Sequence, residues 1–446
     1  MKIRTKIILV ILAVVLLAGL YMAYMVYTIT MGSEDLSGVQ GKIPEAASQL
    51  PEITSGNDDW TQWRGSNADG RSLTTGIRTD WDPEPEKVWS IDYLCQDKST
   101  ASWSSMAVRG NRLIVPGRNE KMDILFCLEA TTGELLWQNS YEAETNTSHG
   151  PGPRATPAID GDRVYSLGRN GDLVCWSLYD GKMIWKKNAK ADGGAEPQWG
   201  YSSSPVISGD LVFIQGGGSA RVAAYNKLNG ELVWKSMSGD AGYAAPVITT
   251  LGNDTLLMVF HATGLSCLDA TDGKELWAVP WETDYGVNAT TPTVDSNRIF
   301  ITSGYGRGCE LLEFSREGAK VLWKNAAMAS QHSDPVLLDG YIYGYTGESS
   351  GRDGKFTCIE LATGNEKWNT AKMGWGTCLW VDGHLLCLDI KGNLYLVKPD
   401  PAKFNLVAEF PSAISGVTHP AWTAPVVANG YLYLRYLQQL VCYKLK

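Results

Sequence analysis

The chain has 446 residues, 44% of them hydrophobic, with 39 Lys and Arg against 48 Asp and Glu and a formal net charge of −9. That acidic balance argues against a nucleic-acid binder, because phosphate recognition needs a basic face. The length exceeds one ordinary two-layer core, which leaves two or three domains or a single repeat architecture.

Lys2, Arg4 and Lys6 precede an uncharged stretch from Ile7 to Thr30. About 24 residues at roughly 1.5 Å each reach about 36 Å, enough to cross a hydrocarbon core of about 30 Å. Tyr21, Tyr24 and Tyr27 gather at its far end, where aromatic side chains favour the interface. No small-x-small cleavage site follows, so residues 1–30 read as an uncleaved transmembrane anchor in preference to a cleaved signal. With the basic end inside, the rest of the chain is expected on the extracytoplasmic side of a cell membrane. Residues 31–58 are polar and rich in Gly, Ser, Pro and acids, the composition of a flexible tether. Residues 59–85 form a lead-in that opens with "WTQWRGSNADG" (60–70), and "EPEKVWSIDY" (84–93) contains a strand with no hairpin partner nearby.

From there the sequence repeats. "CLEATTGELLW" (127–137), "CWSLYDGKMIW" (175–185), "AYNKLNGELVW" (224–234), "CLDATDGKELW" (267–277), "LEFSREGAKVLW" (312–323) and "CIELATGNEKW" (358–368) each hold an apolar strand, a turn ending in Gly and a second strand ending in Trp. A second motif alternates with this one. "ATPAIDGDRVY" (155–165), "SSPVISGDLVF" (203–213), "TTPTVDSNRIF" (290–300), "SDPVLLDGYIY" (333–343) and "TAPVVANGYLY" (423–433) are two short strands around a tight turn. Looser copies begin near 104, 244 and 377. Each repeat therefore offers four antiparallel strands.

Trp89, Trp137, Trp185, Trp234, Trp277, Trp323 and Trp368 set the period, and Phe410 in "LVAEF" is expected to fill the next slot. The steps average about 46 residues, the range of four-stranded propeller blades. Eight opening motifs are present, but the last ends at Lys446 before any Trp, while "KVWSI" near residue 89 has no opening motif. The two remnants are complementary. They predict an all-β, eight-bladed propeller over 86–446, with residues 87–92 supplying the outer strand of the C-terminal blade. Such closure pairs strand edges that would otherwise be exposed.

The Trp-terminated repeats resemble the pyrroloquinoline-quinone (PQQ) repeat family, whose tryptophan-docking motif reads A-x-T-G-x-x-x-W; "EATTGELLW" and "ELATGNEKW" carry it almost intact. "WTQWRGSNADG" is similar to the lead-in of many such proteins. The resemblance implies that each docking Trp packs between neighbouring blades. It implies one of two functions. Some members are quinoprotein dehydrogenases that hold PQQ and calcium in the central funnel. Others, including the propeller subunit of the outer-membrane β-barrel assembly machinery, bind no cofactor and act as scaffolds in the bacterial envelope. The dehydrogenases carry adjacent cysteines, and the longer ones a C-x-x-C-H haem site; this chain has nine cysteines and neither pattern. The expectation is a protein-binding scaffold with no cofactor and an envelope protein as partner, with a PQQ-dependent alcohol or sugar oxidoreductase as the alternative.

Cys127, Cys175, Cys267, Cys358 and Cys442 recur at one strand position and read as small buried apolar residues. Cys378 and Cys387 are different. If Asp382-Gly383 is a two-residue turn, they face each other, and a cross-strand disulfide can form there outside the cytoplasm.

The segments before each opening motif return the chain to the central channel, so they form the candidate binding rim. They hold Trp103, Arg154, Trp199, Tyr201, Tyr243, Asn288, His332, Trp375, His419 and Trp422. Aromatic residues with a few polar groups suit a pocket or a protein contact. Repeat loops also share composition because they share geometry. Arg154 is the base best placed to meet an anion. No zinc-protease, serine-hydrolase or phosphate-loop motif is present, so no catalytic or metal residue is assigned.

Overall fold

The computed structural model describes residues 42–96, 100–143, 150–348 and 353–446. The anchor expected over 1–30 lies outside the described residues, as does the start of the tether. The described residues form eight four-stranded antiparallel sheets arranged as the blades of a propeller. Blades 1 to 7 are consecutive, at 107–142, 158–188, 206–236, 247–280, 293–325, 336–370 and 376–410. Blade 8 joins Val426–Ala428, Tyr431–Tyr436 and Gln439–Lys444 to the N-terminal strand Glu86–Ile91. That strand pairs antiparallel with the last strand of the chain, Trp89 opposite Cys442. The orphan strand of the sequence is thus the clasp of the ring.

The first strands of several adjacent blades contact one another, which puts the first strand of each blade at the axis and the fourth outside. Because consecutive strands are antiparallel, the turns after strands one and three share one face of the disc, here the turn face. The blade-to-blade segments and the turns after strand two share the other, the loop face. Asp382-Gly383 shows why the tight turns need their residues. Both have positive φ, 46° and 78°, the left-handed backbone of a two-residue hairpin. As that turn requires, Val381 pairs with His384 and Cys378 with Cys387. Both thiols are free here.

The core lies between the blades, and the tryptophans organise it. The indole N–H donates to a carbonyl of the next blade from Trp89 to Ala130 (3.1 Å), Trp137 to Leu178 (3.1 Å), Trp185 to Lys227 (3.1 Å), Trp277 to Ser315 (2.9 Å), Trp323 to Leu361 (2.8 Å) and Trp368 to Asp400 (2.8 Å). Under Trp89, Trp137, Trp185, Trp234 and Trp323 lies the turn glycine of the next blade. Gly181 has φ 69°, and a Cβ there would sit 2.4 Å from Trp137. The motif therefore needs glycine twice over, for the backbone and for the indole. The recurrent cysteines sit directly across the sheet from these tryptophans, as Cys127 does from Trp137, and are buried.

Two expectations change. Phe410 does not take the eighth docking slot. In the other blades a β-bulge follows the residue opposite Trp, as between Cys127 and Leu128; in blade 7 it falls between Leu396 and Val397, and Leu396 faces Ala408. Phe410 lies two residues further on and packs edge-on against Tyr443 of blade 8, with centroids 5.2 Å apart. The junction of blades 7 and 8 thus replaces the indole with a Phe–Tyr contact. The second change concerns residues 42–58. They lie against the turn face of blade 1 instead of hanging free. Ala47 donates to the Leu135 carbonyl (2.8 Å), Arg112 donates to the Pro51 carbonyl (2.6 Å), and Thr54 and Asn111 exchange hydrogen bonds at 3.0 Å. Ala47, Leu50 and Ile53 supply the apolar contacts that a purely polar reading of this stretch overlooks.

Candidate functional site

The lead-in decides the shape of the site, because it crosses the central channel. Trp60 makes a two-way backbone pair with Val108 of blade 1, and Ile159 of blade 2 donates to the Thr61 carbonyl. The chain then reaches blades 5 and 6. The Trp63 indole N–H donates to Asp334 Oδ2 (2.9 Å) and Thr291 Oγ1 (3.0 Å). Arg64, buried, donates to the Pro335 carbonyl (3.0 Å) and faces Asp334 Oδ2 at 3.8 Å. The segment returns along blade 7, where Ser72 N–H donates to the Trp380 carbonyl, and ends on blade 8, where Ser72 Oγ donates to the Val427 carbonyl. Burial pushes the Asp334 carboxyl above its ordinary range, against the pull of Arg64 and of the Thr291 and Trp63 donors. The channel is therefore floored by the chain's own N-terminal segment.

Above that floor, on the loop face, lies a cavity of about 380 Å³. Its floor is Trp63 and its walls are aromatic: Trp103, Trp199, Tyr243, Tyr305, His332 and Trp422. Ser202, Ser204, Gln331, Thr423 and Arg154 add polar groups. Its volume falls within the range of small-ligand sites. Trp103 and Trp422 touch at 5.7 Å between centroids, and the Arg154 guanidinium lies over the Trp103 ring at 4.9 Å. Burial, with Arg169 nearby, lowers Arg154 to about 10, so it remains a cation at neutral pH. His332 is held between Trp375 (4.7 Å) and Trp422 (5.5 Å), and burial lowers it to about 4, so it is neutral there. On the opposite wall Trp199 meets Tyr243 and Tyr285 edge-on, both at 5.9 Å, and Tyr285 meets Tyr305 at 5.8 Å. Tyr285 and Tyr305 have positive φ, 60° and 55°, and Tyr285 is 68% exposed at the mouth. A non-glycine residue in that region costs about 1–3 kcal/mol, a cost that clusters at binding sites.

Six of the ten predicted rim residues line this cup: Trp103, Arg154, Trp199, Tyr243, His332 and Trp422. Four do not. Tyr201 is buried, with its hydroxyl donating to the Gly216 carbonyl (2.9 Å). Asn288 is buried as a staple: its amide donates to the carbonyls of His261 (2.8 Å) and Trp281 (3.0 Å), and its oxygen accepts from Ser303 (2.7 Å). Trp375 stands behind His332 and donates to the Gly347 carbonyl (3.2 Å). His419 lies outside the lining, its backbone N–H donating to the Tyr436 hydroxyl (2.9 Å). The sequence reading missed Tyr305 because it considered only blade-to-blade segments. Tyr305 sits on the turn after the second strand of blade 5, which shares the loop face. It missed Trp63 because nothing local says that the lead-in enters the channel.

The lining does not suit PQQ with calcium. Calcium needs several oxygen ligands, usually with carboxylates among them. No carboxylate lines the cup among the described residues, and no cluster of three His, Cys, Asp or Glu suited to a metal occurs among them. PQQ bears three carboxylates, and Arg154 is the single cationic side chain in the described lining.

Comparison with known proteins fits this fold. The family described as outer membrane protein assembly factor BamB matches residues 121–370. Among solved structures, BamB from Moraxella catarrhalis superposes with a TM-score of 0.57 at 16% identity, covering 81% of this chain and 98% of that one. The quinohemoprotein alcohol dehydrogenases of Pseudomonas putida and Comamonas testosteroni give TM-scores of 0.59 and 0.60 at 13% and 12% identity, each covering 87% of this chain and 80% of the other. At these identities the likeness is one of fold. No curated protein sequence matches the chain.

Proposed function

The chain belongs to the family of outer membrane protein assembly factor BamB, and from that membership we propose that it is a membrane-tethered scaffold that grips an envelope protein in its aromatic cup. The observation that carries this reading is the lining of the cup, Trp103, Trp199, Tyr243 and Trp422 with Arg154 and no carboxylate. Trp, Tyr and Arg dominate the energetic centres of protein interfaces, where they sit in desolvated pockets. A floored cup suits a side chain or loop inserted from one side. The uncharged stretch 7–30 supports a single-pass anchor, with the propeller on the periplasmic side of a bacterial membrane. The oxidoreductase alternative finds no matching donor set in the cup.

The test is the double variant Trp199→Ala/Trp422→Ala in the full-length protein, with partners captured from membranes by site-specific crosslinking at Tyr285. Loss of one defined envelope protein, with the melting temperature kept, supports the reading. Retention of every partner sinks it. So does dye-linked alcohol or sugar oxidation by the wild type that depends on added PQQ and calcium.

A further inference from the structure

Of the nine cysteines, two stand opposite each other: Cys378 and Cys387, across the inner hairpin of blade 7. Five of the others sit across from a docking Trp, and Cys309 lies between Thr302 and Asn325. Counting outward from the Asp382-Gly383 turn, Val381 and His384 form a hydrogen-bonded pair, and the bonding then alternates. Cys378 and Cys387 are therefore a non-hydrogen-bonded pair. Such pairs bring Cα atoms to about 4.5 Å, inside the span of about 4.4–6.8 Å that a disulfide bridges. Directly opposed residues project from the same face of the sheet, and these two thiols interact. Burial first, and then the Cys378 thiol, raises the Cys387 thiol well above its ordinary value.

The repeat itself shows that the pair is peculiar to blade 7. In six of the eight blades the Cys378 position holds the proline that opens the first strand, as Pro335 does in blade 6 and Pro425 in blade 8. Blade 7 also lacks the docking indole, since Ala408 stands where the other blades place Trp. Yet its first strand, Gly376–Val381, carries the lead-in. The Trp380 N–H donates to the Gly70 carbonyl and the Ser72 N–H to the Trp380 carbonyl, both at 2.8 Å. Cys378 faces a chamber of about 30 Å³ that it shares with Trp63, Arg64 and Asp334 of the floor.

We propose that Cys378 and Cys387 close to a disulfide that fastens the channel wall on which the lead-in rests. Closure in the cell rests on the extracytoplasmic placement proposed above; the pair itself rests on its geometry. The half-buried Cys378, as thiolate, attacks one sulfur of a disulfide oxidant, forming a mixed disulfide and releasing one thiol. Cys387 then attacks the Cys378 sulfur, which forms the Cys378–Cys387 bond and releases the second thiol. Two electrons pass to the oxidant, whose disulfide becomes two thiols, and both cysteines give up their protons. The other seven thiols are buried and out of the oxidant's reach.

Full-length protein equilibrated with glutathione disulfide, then denatured without reductant, tests the pair. Two of the nine thiols should be lost, and the tryptic peptide 373–391 should be lighter by two hydrogens. The oxidised protein should melt a few degrees, roughly, above the reduced one. Cys378→Val should melt alike in oxidised and reduced glutathione. Nine free thiols, a bond between any other two cysteines, or a closed pair with no change in melting would overturn the proposal. Alkylation of the protein during cell lysis separates the two premises. If the purified pair closes but its thiols are open in the cell, the extracytoplasmic placement fails while the pair stands.

Discussion

The indole N–H of Trp89 donates to the Ala130 carbonyl at 3.1 Å, which ties the closing strand to blade 1 while that strand pairs with the last strand of the chain. One side chain therefore joins the N-terminal strand, blade 8 and blade 1. Trp89→Ala removes a buried aromatic and its hydrogen bond, an expected loss of about 3–5 kcal/mol. Thermal melting should show one lowered transition for the whole propeller, and deletion of 84–93 a larger fall. An unchanged transition in the deletion would contradict the clasp.

The docking tryptophans are not equivalent. The Trp234 indole N–H is buried with no acceptor among the described residues, whereas Trp137 donates to Leu178. Trp137→Phe gives up a hydrogen bond worth about 1 kcal/mol that Trp234→Phe does not. Denaturant titration of the two variants should separate them by that amount, Trp137→Phe being the less stable.

The floor of the cup rests on Asp334. Its Oδ1 accepts from the Thr291 N–H (2.7 Å) and its Oδ2 from Trp63, with Arg64 facing it at 3.8 Å. Asp334→Ala leaves a buried guanidinium without its counter-charge, at an expected cost of about 3–5 kcal/mol. Asp334→Asn keeps hydrogen-bonding oxygen and should cost less. Melting curves rank the two, and tryptophan emission should change more in the alanine variant because Trp63 loses an acceptor.

His332 makes stability depend on pH. Burial lowers it to about 4 in the folded protein, below the ordinary value of 6.5. Between these values the unfolded chain binds the extra proton, so this contribution is fully present above about 6.5 and is lost as pH falls towards 4. His261, lowered to about 3 by burial and Arg221, acts in the same direction. Asp334, raised by burial, acts in the opposite one. The measurable quantity is the difference between wild type and His332→Phe. The fall in stability from pH 7 to pH 5 should be smaller in the variant.

The fold was readable because the docking motif marks most blades twice, with an indole and with a turn glycine that in five of them takes positive φ beneath the preceding blade's Trp. The clasp was readable from two incomplete units. Phe410 misled because spacing counts residues while the slot is set by a bulge, and only the pairing of Leu396 with Ala408 reveals where the bulge falls. The cup was legible in part. Trp103 and Trp422 lie on segments that must approach the axis, but so do Tyr201 and Asn288, whose polar groups satisfy buried backbone instead. Pattern places a loop; it does not decide which side chains of that loop face inwards. The contacts of Trp63 and Arg64 span more than two hundred residues of sequence, and no local signal encodes them.

The floor also fixes an order of events during synthesis. Residues 59–77 emerge before any blade exists, yet they rest on Thr291, Asp334, Trp380 and Val427, which are made late. The strand Glu86–Ile91 waits still longer, for Gln439–Lys444. Domains usually fold from the N-terminus as they leave the ribosome. Here the lead-in takes its first partners on blades 1 and 2 but its last only from blade 8, so a chain halted before the eighth blade lacks the Val427 partner of Ser72 and the partner strand of its clasp.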